Sequence, residues 1–189
     1  MLLILDLDET LIHATEKKLV AEPDFMVFDY FVYKRPFLDQ FIEQCNQRFD
    51  LAVWSSASED YVQEIVKYIF PAEINLKFVW GRNRCTPKIS LQLDDFYNYS
   101  LDINSYYGYT KQLKKVRREG FSLKQVLIVD DTPAKVINSY GNAIYIKEYK
   151  GEKSDKELEF LAKYLLTLKD VENVRTIEKR LWRKLTIQV

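Results

Sequence analysis

MLLILDLDETLIHAT, residues Met1 to Thr15, opens with Leu2 to Leu5, an unbroken apolar run with the length and composition of a buried strand. The run then releases Asp6 and Asp8 with one residue between them. Side chains two apart on a strand point to the same side, so both carboxylates face one point where the strand ends, and Leu7 turns back into the core. Two like charges that close repel each other unless a cation or a shared proton relieves them. Thr10 follows as the chain leaves the strand.

Working outward, a charged stretch from Glu16 to Asp24 precedes Phe25–Tyr33, FMVFDYFVY, whose aromatic and β-branched residues read as a strand. Pro36 suits the first turn of a helix, with Phe37, Phe41, Cys45 and Phe49 at roughly helical spacing. DLAVW, Asp50 to Trp54, is a second buried strand. It leads through Ser55 and Ser56 into a helix with Glu59 and Asp60 in its first turn. Leu76–Trp80 reads as a third strand. Gly81–Tyr109 shows no period and reads as an insertion of irregular or short β structure, its five tyrosines packed as a loop. Thr110–Glu119 reads as a helix closed by Gly120. Gln125–Val129 is a fourth apolar run, which delivers Asp130, Asp131, Thr132 and Pro133; Ala143–Ile146 is a fifth. Ser154 and Glu157 have the spacing of a capping box, and Val171–Lys184 reads as a last helix.

Short apolar strands alternating with helices imply an α/β fold: a three-layer, Rossmann-like, mainly parallel sheet with helices on both faces. The 189 residues are expected to form one domain with small insertions at about 16–34 and 81–109 in place of a large cap. Ligands of such sheets lie at the carboxyl ends of the strands. Here three ends carry groups suited to phosphate chemistry: Asp6 and Asp8, Ser55 and Ser56, Asp130 and Asp131.

Composition excludes several classes. Lys plus Arg equals Asp plus Glu, 28 each, so no overall field selects a nucleic acid or a membrane. The segment Gly81–Arg118 is locally basic, with eight Lys and Arg against Asp94, Asp95 and Asp102. Two cysteines, Cys45 and Cys85, give neither a disulfide framework nor a zinc spacing, and Cys45 reads as a buried thiol. No run approaches the ~18 apolar residues of a membrane span, and a strand begins where a signal peptide would stand. A cytosolic location is expected, or a nuclear one in a eukaryote, with no obligate oligomer evident.

Phosphoryl transfer needs a nucleophile, neutralisation of the phosphoryl oxygens and a proton for the leaving group. Asp6 is suited to be the nucleophile, forming an aspartyl-phosphate. Asp8 is suited to protonate the leaving oxygen and then to deprotonate the hydrolytic water. Asp6, Asp130 and Asp131 would not tolerate their own repulsion without a cation. Hard oxygen donors beside a phosphate point to Mg²⁺, with Asp8 close enough to join the set.

The DLDETLIHAT string resembles the first motif of the haloacid dehalogenase-like superfamily. More specifically, it resembles the branch of RNA polymerase C-terminal-domain phosphatases, the NLI-interacting-factor-like family. The resemblance implies that Ser55 holds a phosphoryl oxygen, with Thr10 and Ser56 also in the phosphate site. It makes Lys111 in YGYTKQL the lysine of the third motif, expected to bind the phosphate, and Asp130–Asp131 the acidic pair of the fourth. It matches Lys34-Arg35-Pro36 to a family feature and aligns Arg82 with an arginine that contacts substrate. Small relatives carry Asp-Asn where this chain has Asp130-Asp131. That difference favours Asp131 as the direct metal ligand and leaves Asp130 as a lysine partner or outer ligand.

The expected function is a Mg²⁺-dependent phosphomonoesterase acting on phosphoserine or phosphothreonine in protein. The alternatives are an enzyme for small phosphate esters or nucleic-acid phosphate ends, with nucleic acid only as substrate, and a non-catalytic phospho-binding protein on the same fold. The small insertions favour an open site that admits part of a macromolecule. His13, the single histidine, is expected to order the first loop.

Overall fold

A computed structural model describes residues 1–88, 92–93, 99–100 and 108–187. Its centre is a five-stranded parallel sheet. In spatial order the strands are Ala143–Tyr145, Val126–Asp130, Leu2–Leu5, Asp50–Trp54 and Val79–Trp80. The first strand of the chain therefore lies in the middle and is fully buried, as its continuous apolar run requires. Alternate residues part to opposite faces. Leu3, Leu5, Leu7, Leu51, Val53, Leu127 and Val129 join one core, where the helices Leu38–Asn46, Glu59–Ile69 and Glu157–Leu168 pack. Leu2, Ile4, Ala52, Trp54, Val126 and Ile128 join the other, with Val116 and Val136 from the segments on that side. The expected three layers are present.

Register decides what meets at the carboxyl edge. Leu5 stands opposite Val129 on one side and Val53 on the other. The next residues out are Asp6 and Asp130, with Ser55 two residues past Val53. The Asp6 amide donates to the Val129 carbonyl at 3.1 Å, which holds the strand in register to its last residue. Beyond it the chain turns sharply. The Leu7 carbonyl accepts from the amides of Thr10, Leu11 and Ile12, with Glu9 at φ 58°.

Several local expectations change. Phe25–Tyr33 is a hairpin: Phe25–Val27 pairs with Tyr30–Lys34 around a two-residue turn at Phe28 and Asp29, and Ile12–Thr15 adds a third strand. Phe28 takes φ 52°, a conformation more usual for Gly or Asn, so no turn residue marked the break. The helix read over Thr110–Glu119 covers only Lys114–Arg118, because Gly108–Thr110 pairs antiparallel with Thr86–Lys88. Gly120 does close it, at φ 93°. Ser154 does not cap the next helix; Asp155 Oδ1 accepts the Glu157 amide at 2.9 Å instead. The third-strand stretch is ordered as a strand only at Val79–Trp80, and the segment after Pro133 is a kinked 3-10 run. The tail carries a short 3-10 turn at Val174–Thr176 and a helix at Trp182–Ile187 rather than one long helix. Of the tyrosine-rich insertion, Tyr97, Tyr106 and Tyr107 lie outside the described residues, as do Asp94, Asp95 and Asp102. Among the described residues no helix is long and apolar enough to cross a membrane.

Candidate active site

Asp6, at the end of the central strand, is almost fully buried. Lys111 Nζ donates to its Oδ1 at 2.7 Å and to Asp130 Oδ2 at the same distance. Lys111 is itself buried, directly after the Gly108–Thr110 strand, and its amide donates to the Lys135 carbonyl. Burial alone pushes the Asp6 carboxyl up, but the charges of Lys111 and Lys135 outweigh it and hold the group below the ordinary carboxylate range. Burial draws Lys111 down, and Asp130 and Asp6 more than reverse this, so the lysine stays charged. Asp130 is pushed up to about 6 by burial, against the pull of Lys111.

Asp8 is held quite differently. The Tyr61 hydroxyl donates to its Oδ1 at 2.6 Å, and Ser55 Oγ lies 3.4 Å from its Oδ2. No lysine or arginine among the described residues forms an ion pair with it. Burial raises its carboxyl above the usual value, the Tyr61 hydrogen bond works against that, and the charge on Asp6 raises it further. Two carboxylates one residue apart thus sit in opposite electrostatic settings.

Asp6, Asp130 and Asp131 each offer an oxygen within 4.8 Å of the others, and Asp8 is not part of that group. Thr132 Oγ1 donates to Asp131 Oδ2 at 2.9 Å, while Asp131 Oδ1 is buried without a hydrogen-bond donor. A buried carboxylate oxygen with no hydrogen-bond donor, with Lys135 Nζ 3.9 Å away and two more carboxylates beside it, fits a hard divalent cation. Asp130, expected as a lysine partner or outer ligand, accepts from Lys111 Nζ, while Asp131 does not pair with Lys111.

Ser55 is buried, and its Oγ accepts from the Ala57 amide at 3.0 Å. Ser56 is partly exposed, and its carbonyl accepts from Arg82 Nε at 2.8 Å. Thr10 is buried with its hydroxyl 3.5 Å from Asp6 Oδ2, at the limit of a hydrogen bond. Its carbonyl accepts from Arg35. Arg82 is exposed and lies over the Tyr109 ring. Together with Asp8, Phe28, Tyr30, Ser58 and Tyr61 it lines a groove of about 340 Å³. His13 Nδ1 pairs with Glu9 Oε1 at 2.7 Å.

Residues 1–175 match the sequence model of the NLI interacting factor-like phosphatases. The chain belongs to that family. It is 29% identical over 183 residues to a probable C-terminal domain small phosphatase of Dictyostelium discoideum, which covers 93% of this chain and 53% of the relative. It is 30% identical over 202 residues to the CTD nuclear envelope phosphatase 1B of Danio rerio, covering 96% and 74%. The chain thus spans about half the length of the first of these relatives. Among solved structures it is similar to Fcp1, an essential RNA polymerase II CTD phosphatase, with TM-score 0.55 and 16% identity over 98% of this chain and 61% of that one. Fission yeast Fcp1 bound to beryllium fluoride gives 0.53 and 20%, over 89% and 50%. These likenesses carry the fold, which is the α/β architecture of that structural group.

Family membership gives the KRP triplet a structural meaning. Arg35 is buried, and its guanidinium donates to the Thr10 and Lys147 carbonyls and to both oxygens of Asp155. It ties the loop after Asp8 to the start of the Glu157–Leu168 helix. Tyr61 and Lys135 were not singled out from sequence. Tyr61 lies on the buried face of the Glu59–Ile69 helix, and Lys135 lies in the run that starts at Pro133. The one local signal for Lys135 is its spacing of four from Asp131.

Proposed function

We propose that this chain is a phosphomonoesterase that works through Asp6 and acts on phosphoserine or phosphothreonine in protein. The observation that carries the reading is the contrast between the two carboxylates: Asp6 clamped by a lysine, Asp8 held by a phenol. A nucleophile must be ionised and an acid must keep its proton, and environment divides the roles.

In the first step an Asp6 oxygen attacks phosphorus while the bond to the leaving oxygen breaks, and Asp8 gives its proton to that oxygen. In the second, Asp8 takes a proton from water, the water oxygen attacks phosphorus and the bond to Asp6 breaks. Inorganic phosphate leaves, and both carboxylates return to their starting states. Ser55 would hold a phosphoryl oxygen, with Thr10 and Ser56 flanking it. Lys111 keeps Asp6 ionised and oriented. Asp6, Asp130 and Asp131 would hold Mg²⁺, whose charge shields the attacking carboxylate from the phosphate dianion.

The substrate class is supported by the groove beside Asp8, which is open and walled by Phe28 and Tyr30 of the hairpin, and by the relatives' names. A residue in an extended peptide reaches such a site; a metabolite gains little from it. The nuclear envelope relative supports a nuclear place of work beside the cytosolic one expected from sequence. The test is hydrolysis with Mg²⁺ of phosphoserine peptides, nucleotides and 3′-phosphorylated oligonucleotides. Phosphopeptides should give the highest kcat/KM. A preference for either other class overturns the substrate, and no hydrolysis of any would leave a phospho-binding protein.

A further inference from the structure

The 3-10 run that begins at Pro133 carries Lys135 back over the carboxyl edge of the sheet. Its Nζ stands 3.6 Å from Asp6 Oδ2 and 3.9 Å from Asp131 Oδ1. These are ion-pair distances, longer than a direct charge-assisted hydrogen bond. Lys111 differs: it is sealed in at 2.7 Å from its two carboxylates, whereas the Lys135 side chain is 23% exposed and sits at the mouth. The Lys135 backbone has separate duties. Its amide donates to the Thr132 carbonyl and its carbonyl accepts from the Lys111 amide. The side chain can therefore be exchanged without removing the backbone bond that places Lys111.

Lys135 faces an oxygen on each of two members of the three-carboxylate group suited to a cation. Asp6, Asp130, Asp131 and Asp8 all act on its charge. With Asp6, Asp130 and Asp131 ionised and two lysines beside them, the three-carboxylate group keeps one negative charge. Loaded with a divalent cation, the group would carry one positive charge with Lys135 and none without it, so Lys135 would supply the net charge that attracts a phosphate dianion.

We propose that Lys135 sets the balance between metal and phosphate at this centre: its ammonium shares Asp6 and Asp131 with the cation, loosening the cation's hold, and supplies the second positive charge that draws the phosphoryl dianion to Asp6. The inference rests on the phosphatase reading of the site and adds a positioning residue to it. A positive charge within a few ångströms disfavours a cation and favours an anion, so its removal moves the two affinities in opposite directions. A packing defect would weaken both.

The test is calorimetry on the intact chain. Mg²⁺ is titrated into metal-free protein, and inorganic phosphate into Mg²⁺-saturated protein, for wild type, Lys135→Gln and Lys135→Arg. Lys135→Gln should bind Mg²⁺ about tenfold more tightly and phosphate about tenfold more weakly. Lys135→Arg, which keeps the charge, should stay near wild type in both. Lys135→Met, neutral and of similar length, repeats the measurement on a second folded variant, with a melting curve for each. Unchanged or weakened Mg²⁺ binding in the neutral variants, or unchanged phosphate binding, overturns the proposal and leaves the phosphatase site standing. A wild-type protein that binds neither Mg²⁺ nor phosphate overturns the site reading and the proposal together.

Discussion

Replacing Asp155 with Ala should destabilise the fold and loosen the loop that aims Asp8. Arg35 donates from Nε and Nη2 to the two Asp155 oxygens at 2.9 and 2.8 Å, and Asp155 Oδ1 also takes the Glu157 amide at 2.9 Å. The pair is buried, with side-chain exposures of 0% and 8%. Breaking a buried pair by removing one partner costs about 3–5 kcal/mol, because the other charge is left uncompensated. Arg35 keeps its bonds to the Thr10 and Lys147 carbonyls, which favours the lower end, about 3 kcal/mol. For a chain of this size that is a fall in Tm of roughly 6–12 °C. Asp155→Asn should lose less, since an amide oxygen still caps the helix. The pH dependence follows from the depressed Asp155 carboxyl: burial raises it, but the Arg35 hydrogen bonds hold it below its usual 3.8. Its contribution is fully present above the ordinary carboxylate value and is lost as pH falls through the lower folded one. The gap between wild type and Asp155→Ala should therefore narrow below pH ~4. Urea unfolding at several pH values measures it. A gap under about 0.5 kcal/mol at pH 7, the size of a surface change, or one that does not shrink in acid, would refute the reasoning.

Asp131→Ala should lose activity mainly through metal affinity and regain part of it at high Mg²⁺. Asp8→Asn should stay slow at saturating metal, most of all for alkyl phosphates with poor leaving groups; Mg²⁺ titrations of both variants that superimpose would merge the two roles. Arg82→Ala should flatten the fall of kcat/KM with ionic strength for an acidic phosphopeptide, since attraction at the rim is screened over ~8 Å, and should spare a small aryl phosphate. Arg84→Ala should lower Tm instead, because Arg84 stacks on Trp80 and pairs with Glu119. Rates on both substrates across a salt series, with melting curves, check the division.

The sheet was legible because its strands are apolar on both faces. Leu2–Leu5, Asp50–Trp54 and Gln125–Val129 stand out as short runs, and their polar ends mark the site without further information. Elements fixed by distant partners were not legible. Gly108–Thr110 is a strand only because Thr86–Lys88 lies beside it. Asp155 is held by Arg35 from 120 positions away, so the nearby Ser154 took the capping role in a local reading. Phe28 turns the hairpin without any turn chemistry. In the candidate site, Asp6, Asp8, Ser55, Lys111, Asp130 and Asp131 were singled out from strand ends and from the resemblance to the family motifs. Tyr61 escaped because a helix-face tyrosine is usually just core, and Lys135 because the kinked run after Pro133 has no clear period.

Trapping the covalent intermediate tests the central claim most directly. Asp8→Asn protein is mixed with Mg²⁺ and an aryl phosphate, whose leaving group needs no proton, so Asp6 is phosphorylated while the water step lacks its base. The mixture is quenched in acid, treated with borohydride, which reduces an acyl phosphate to an alcohol, digested and sequenced by tandem mass spectrometry. The account predicts homoserine at position 6, none at positions 130 or 131, and none anywhere when Asp6→Asn is added to the same protein. Modification at another carboxylate would contradict the assignment of Asp6, as would steady aryl phosphate turnover by Asp6→Asn protein with no trapped species.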